Sequence, residues 1–282
     1  VGGGGVVERL DDLGLQADHR AMCGQMLSAT NGIILVTGPT GSGKSTTLYA
    51  FLRSLMNDER KIITVEDPVE YQTNGITQIP VNAEIGLTFA SILRSVLRQD
   101  PDIVLIGEIR DRETAEIAVQ AALTGHLVLS TLHTNDAPSA FVRLMDMGVE
   151  SYLLASSVIG VIGQRLVRSV CKHCAEPDPH GLEHALGQGW QKITEAWPEL
   201  TKNPTFVRGT GCDHCIGSGY RGRQSIFEML PVDAALRHLL STEPEKVMGY
   251  VSQLGMRTLK QDGILAAARG ETTLAEVLRV TG

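Results

Sequence analysis

Apolar residues in the first half of the chain gather into short runs, each ending in a polar or acidic tip. Residues 33–36 run into Thr37-Gly38, 61–65 into Glu66-Asp67, 103–106 into Gly107-Glu108, and 127–131 into Leu132-His133. Runs this short are below helical length, and their apolar character suits strands buried inside a parallel sheet. Between them the spacing changes to threes and fours. Phe89, Ile92, Leu93, Val96 and Leu97 mark one face of a helix over 88–98, and 44–56 and 111–122 read as helices too. A further short strand is expected at 76–81. The alternation predicts an α/β fold whose sheet is mostly parallel, with right-handed crossovers.

The second half is less regular. Helices are expected at 136–147 and 152–161, and a strand at 224–229. Short helices follow at 233–240 and 245–254, then an amphipathic one at 258–268 and a last one opened by Thr273 and Glu276 as a capping box. Near the N-terminus, Asp18 is expected to cap a helix over 18–27, after a short turn at 12–15. Ala21, Met22 and Met26 would form its apolar stripe, with Cys23 as a small buried hydrophobe within it. The glycines at 2–5 read as a flexible connector.

The first run leads into a motif with a chemical reason at every position. Gly38-Pro39-Thr40-Gly41-Ser42-Gly43-Lys44-Ser45-Thr46 follows the pattern GxxxxGK[ST] between a strand and a helix. Gly38, Gly41 and Gly43 let the backbone curl so that successive N–H groups point into one concavity. The helix that starts there adds its positive end, which suits a polyphosphate. Lys44 would reach the β- and γ-phosphates of ATP, and the Ser45 hydroxyl would ligate Mg²⁺. The alternative is a surface turn that happens to be rich in Gly, Ser and Thr. The fingerprint is GxxxxGKS rather than GxGxxG, so a RecA-like P-loop nucleoside triphosphatase core is expected, not a dinucleotide fold.

The tips of the other strands then matter, because open α/β sheets bind ligands beyond the carboxyl ends of their strands. Glu108 is the expected general base for the attacking water. Glu66, beside Asp67 and a turn fixed by Pro68, would hold Mg²⁺ through water or position the nucleophile. Solubilising loop charge is the plainer account of Glu66 and Asp67. His133 would hydrogen-bond the γ-phosphate, whereas His126 lies at the opposite end of its strand. Arg94 and Arg98 share a helix face and are either phosphate or subunit contacts or plain surface charge.

Composition narrows the partners. Of 282 residues, 43% are apolar, ample for a core, and the formal net charge of −7 argues against broad nucleic-acid binding. No apolar run of 18 residues exists to span a membrane, and no secretory or lipidation signal is visible. Four of the five cysteines form two CxxC knuckles, Cys171/Cys174 and Cys212/Cys215. That arrangement wraps one tetrahedral Zn²⁺ in four thiolates and leaves no open position, so the expected zinc is structural. A redox CxxC pair would explain one knuckle but not its duplicate. Trp190 and Trp197 are the expected small core of the segment between the knuckles.

Together, GPTGSGKSTT (38–47), ITVEDPVEY (63–71), LRQDPDIVLIGEIRD (97–111) and TGHLVLSTLHTNDA (124–137) resemble the four signature boxes of bacterial type II secretion ATPases of the GspE family and of type IV pilus assembly ATPases. IGQRLVRSVCKHC and CDHCIGSGYRGR resemble their tetracysteine region, which pilus-retraction motors look to lack. The resemblance implies a hexameric, ATP-hydrolysing motor on the cytoplasmic face of the inner membrane, working through an inner-membrane platform protein. It makes Lys44 and Ser45 the Walker A pair, Glu66 part of the acidic box, Glu108 the Walker B glutamate, and His126 and His133 the histidine box. It makes Cys171, Cys174, Cys212 and Cys215 the zinc ligands. The division it suggests is a connector over 1–15, a RecA-like core over 16–165, a tetracysteine subdomain over 166–230 and a helical subdomain over 231–282. Family members carry another domain before this core, so the chain is expected to be the C-terminal half of a larger protein with low activity by itself. A nucleic-acid-dependent ATPase is the reading from another class, and the acidic balance disfavours it.

Overall fold

The computed structural model describes residues 10–70 and 72–282; the glycine run lies outside the described residues. In chain order the helices and strands are α1 (Ala17–Leu27), β1 (Gly32–Thr37), α2 (Lys44–Leu55), β2 (Ile62–Glu66), β3 (Thr77–Pro80), α3 (Phe89–Val96), β4 (Ile103–Ile106), α4 (Arg112–Leu123) and β5 (Leu127–Leu132). They continue with α5 (Ser139–Asp146), α6 (Ser151–Ser157), β6 (Val158–Val170), β7 (Ala175–Pro177), α7 (Gly181–Gly187), α8 (Trp190–Ala196), β8 (Val207–Gly209) and β9 (Tyr220–Pro231). Four helices close the chain: α9 (Ala234–Thr242), α10 (Val247–Gln253), α11 (Leu259–Ala268) and α12 (Leu274–Thr281).

Seven strands form one sheet in the order β3-β2-β4-β5-β1-β6-β9. All neighbours run parallel except β6 and β9, which form a long antiparallel hairpin. The apolar runs explain this placement. Successive side chains alternate between faces, so Ile33 and Leu35 join the core beneath α3, α4 and α6, while Ile34 and Val36 join the core beneath α1 and α2. Both faces are covered, and a strand with no polar face has nowhere else to go. The α/β reading and the mostly parallel sheet hold.

Several boundaries differ from the sequence expectation. The helix expected over 152–161 ends at Ser157, and Val158 already pairs with β1. Valine and isoleucine at 158, 159, 161 and 162 lose side-chain freedom in a helix, and Gly160 is packed where a Cβ would meet Met26 at 2.5 Å. The helix over 136–147 shortens to α5 because Asp136 stays outside it, its carboxylate accepting the Ser139 N–H at 2.8 Å. Gln16, not Asp18, occupies the cap position of α1. Asp18 instead binds the Arg257 guanidinium at 2.6 and 3.1 Å, and Ala21 is exposed while His19, Cys23, Met26 and Leu27 are buried. Cys23 sits 1% exposed in that core, and its burial pushes the thiol up to about 12.

The strand expected at 224–229 is longer and belongs to the main sheet as β9. Residues 165 and 166 both lie within β6, so the tetracysteine unit is the far end of a hairpin rooted in the sheet. Beyond the knuckles, Trp190 meets Phe206 edge-on at 5.5 Å. This small core is shared with Ile264, Leu265 and Val277 of the C-terminal helices, and Trp197 packs at its margin.

Candidate nucleotide site and tetracysteine centre

The loop between β1 and α2 takes a shape that only glycine permits at its ends. Gly38 has φ +153° and Gly43 has φ +88°. A Cβ on Gly38 would lie 2.5 Å from the Gln164 carbonyl oxygen, and one on Gly43 would lie 2.8 Å from the Gln164 side-chain nitrogen. Gln164 on β6 is therefore the floor against which the loop rests. Its Oε1 accepts the Thr47 hydroxyl at 2.8 Å and its Nε2 donates to Ser225 Oγ at 3.0 Å. Sequence reading gave Gln164 no role, although a single amide inside an apolar strand was a signal for one.

Thr40, Gly41, Gly43, Lys44, Ser45 and Thr46 line a cleft of about 470 Å³, within the usual range for small-molecule sites. Gly38, Pro39 and Ser42 shape the loop behind that lining. The Ser42 hydroxyl is buried with no hydrogen-bond partner, an exception that marks a polar loop built around something other than itself. Lys44 is 9% exposed and folds back so that Nζ donates to the Gly38 and Pro39 carbonyls at 2.8 and 2.9 Å. Its burial lowers the ammonium below the ordinary lysine range, with Glu108 pulling in the opposite direction. Ser45 Oγ lies 3.5 Å from a Glu70 carboxylate oxygen.

Across the cleft the sheet delivers its other polar tips. Glu66 ends β2, 5% exposed, and accepts the Tyr49 hydroxyl at 2.6 Å and that of Thr64. Tyr49 comes from α2, so the helix that follows the phosphate loop also fixes Glu66. Glu108 follows β4. Its carboxylate is paired with the Arg110 guanidinium, and His133 Nε2 stands 3.4 Å from its other oxygen. Arg110 also reaches Asp67, with Nη1 3.8 Å from the carboxylate. Thr131 on β5 donates to the Gly107 carbonyl at 2.7 Å and fixes the turn that carries Glu108. Phosphate loop, Glu66, Glu108 and His133 thus meet at one edge of the sheet.

Not every candidate arrives there. His126 lies at the opposite edge with Nδ1 2.9 Å from the Ala121 carbonyl oxygen. Arg94 pairs with Glu113, Arg98 is exposed, and neither lines the cleft. Residues that sequence reading passed over do line it: Tyr49, Arg110, Leu166 and Arg223, the last two from the β6–β9 hairpin.

The second centre lies at the end of that hairpin. The four sulfur atoms of Cys171, Cys174, Cys212 and Cys215 lie within 4.8 Å of one another, and three of the separations are 3.8 Å. A tetrahedron of thiolates at a Zn–S distance of about 2.3 Å has sulfur–sulfur edges of about 3.8 Å, so this donor set fits zinc. Backbone N–H groups turn toward the sulfurs, Gly211 to Cys174 at 3.3 Å, and Cys212 and Gly219 to Cys215 at 3.2 Å each. Burial alone would raise the Cys215 thiol, but those two N–H groups together with the Cys212 and Cys174 side chains bring it down to about 6. His173 and His214 stack on one another at 3.8 Å and contribute no ligand to the cluster.

Comparison with known proteins agrees over nearly the whole chain. The family model for type II/IV secretion system proteins matches residues 5–279. The type II secretion system ATPase E of Vibrio cholerae is 48% identical over 274 residues, covering 96% of this chain and 53% of that protein. The type IV pilus assembly ATPase PilB of Thermus thermophilus is 45% identical over 280 residues, covering 98% of this chain and 30% of that one. Among solved structures, the pilus retraction motor PilT with bound ADP superposes with a TM-score of 0.70 at 29% identity, covering 96% of this chain and 66% of that one. The chain spans about half the length of the curated secretion relatives it matches. With a phosphate loop, two acidic strand tips and a tetracysteine centre all in place, this chain belongs to the type II/IV secretion system protein family.

Proposed function

We propose that the chain is the ATP-hydrolysing portion of a motor that drives pseudopilus assembly for type II secretion. The observation that carries this reading is the convergence of the phosphate loop, Glu66, Glu108 and His133 on one cleft. Lys44 leaves the Gly38 and Pro39 carbonyls for the β- and γ-phosphates of ATP, and the loop N–H groups hold the remaining oxygens. The Ser45 hydroxyl, with Glu66 facing the same cleft, would hold Mg²⁺, which would supply positive charge to screen the phosphates. Glu108 takes the proton of the attacking water, while Arg110 and His133 aim its carboxylate. His133 also meets the γ-phosphate and reports its departure. Zinc at the four cysteines is structural, because four thiolates leave no position for a substrate.

The motor is a hexameric ring of the intact protein, on the cytoplasmic face of the inner membrane, and its partner is an inner-membrane platform protein. No nucleic acid takes part. Among the described residues no helix is long and apolar enough to cross a membrane. Extension of a type IV pilus is the second reading, favoured by the 45% identity to PilB across 98% of the chain. The chain spans about half the length of its secretion relatives, and by itself it binds nucleotide but turns it over slowly.

The test is ATP turnover of the intact protein with Mg²⁺, beside Glu108→Gln, with and without the cytoplasmic domain of the platform protein. Binding retained, turnover lost and stimulation by the platform support the motor. Normal hydrolysis by Glu108→Gln would remove Glu108 as the base and make Glu66 the next candidate. Turnover by the isolated chain at the rate of the intact protein would overturn the slow-fragment reading.

A further inference from the structure

Among the buried charges outside the nucleotide site, Glu228 has the most telling surroundings. It sits in β9 with 3% exposure and accepts two backbone N–H groups that belong to different parts of the molecule. Oε1 accepts the N–H of Ala137 at 2.8 Å, and Oε2 accepts that of Leu259 at 3.1 Å. Ala137 ends the loop that begins at His133. Leu259 is the first residue of α11. One carboxylate therefore ties the far side of the nucleotide site to the C-terminal helices.

The surroundings are built for that carboxylate. Gly163 on β6 lies opposite Glu228, and a Cβ there would come within 3.3 Å of the Ala137 nitrogen and 3.4 Å of the Glu228 Cβ. Arg165, two residues on, donates to the Asn135 carbonyl at 2.9 Å and acts on Glu228 as its cation, while Asp136 opposes it. The loop is further pinned through Asp136, whose carbonyl accepts the Thr134 hydroxyl at 2.9 Å. Two hydrogen bonds anchor the start of α11 to β9: Leu259 to Glu228, and the Phe227 N–H to Asp262 at 2.8 Å. Burying a carboxylate is unfavourable unless each oxygen finds donors. An apolar residue would fill the space without that cost, but it would join neither segment.

We propose that Glu228 is a positioning residue that couples the start of α11 to the loop carrying His133, so that displacement of the C-terminal helices is felt at the γ-phosphate side of the cleft. This inference rests on the role proposed above for His133. The chemistry sets the variant: a glutamate accepts at both oxygens, whereas a glutamine accepts at one and presents an amino group to the other N–H.

The experiment is steady-state MgATP hydrolysis by the intact protein carrying Glu228→Gln, His133→Ala or both, beside Glu276→Gln as a stability control remote from the loop. The expected result is a kcat about tenfold lower for Glu228→Gln with nucleotide affinity within about twofold, since the phosphate loop is untouched. In the His133→Ala background Glu228→Gln should cost nothing further. Glu276→Gln, brought to the same thermal midpoint, should keep wild-type kcat. Equal losses of kcat in Glu276→Gln and Glu228→Gln, or additive losses with His133→Ala, would overturn the coupling. Lys44→Ala separates the two levels. If it abolishes turnover while Glu228→Gln is normal, only this inference fails; if it hydrolyses ATP normally, the ATPase reading fails first.

Discussion

The nucleotide cleft and the tetracysteine centre share one hairpin, the cleft against its middle and the cysteines beyond its tip, and they are finished to different degrees. At the cysteines every donor converges on a single point, sulfurs 3.8 Å apart with backbone N–H groups already turned inward. In the cleft Lys44 spends its donors on the carbonyls of its own loop, the Ser42 hydroxyl has no partner, and Glu108 is held by Arg110 and His133. A closed donor set suits a ligand that stays for the life of the protein. A cleft whose charges hold one another suits a ligand that comes and goes, because each of those contacts is weak enough to be exchanged.

The largest effect should come from opening the closed site. Cys174→Ser or Cys215→Ser is expected to abolish stoichiometric zinc, measured by metal analysis, and to lower stability by at least ~5 kcal/mol, since structural zinc carries roughly 10–16 kcal/mol of binding free energy. If metal content and thermal midpoint were unchanged, the contrast between the two sites would break. Next in size, Glu108→Gln should lower kcat by about 10²–10⁴-fold without weakening nucleotide binding, read by single-turnover kinetics beside equilibrium titration.

Gly38→Ala sharpens the comparison from the side of shape. With a Cβ 2.5 Å from the Gln164 carbonyl oxygen, the loop must shift, and nucleotide affinity should fall by on the order of 10–100-fold while zinc content stays intact. Smaller still is Glu276→Gln, on neither site. Glu276 is buried, and although burial alone would raise its carboxyl, Arg279 and Arg168 hold it down at about 2. A carboxylate depressed in the folded state contributes stability that is full above the unfolded value and is lost as pH falls through about 4.5 to 2. Denaturant unfolding across that window should show wild type converging on Glu276→Gln, from a difference on the order of 2 kcal/mol at neutral pH.

How much of this was legible in the sequence divides along the same line as the physics. Contacts fixed by local spacing could be read directly. The phosphate loop is nine adjacent residues, each cysteine knuckle is four, and Glu66, Glu108 and His133 each announce themselves by following a short strand. Contacts fixed by packing could not. Gln164 meets Gly38 only because β6 lies beside β1, and Asp18 looks like a helix cap until Arg257 arrives from 239 positions away. Val158 fell on the wrong side of a boundary for a related reason. Residues 151–157 continue into a β-branched run with no proline or glycine before Gly160, and only pairing with β1 decides where the helix stops. Glu228 carried no local signal at all, since its two partners are 91 and 31 positions away.

The strand order also has a consequence for how the protein is made. β1 is the first strand of the sheet to leave the ribosome, but its partners are β5 and β6, with Gly32 opposite Leu127. At about 5–20 residues per second, roughly 95 residues separate those partners and take on the order of 5–20 s to synthesise. For that interval the apolar run 33–36 has no neighbour on either edge, and the phosphate loop has no β6 to rest on. β2 and β3, made later, are paired sooner. The nucleotide site is thus among the first parts of the sheet to be synthesised and among the last to be assembled, and the chain depends on whatever shields β1 in the meantime.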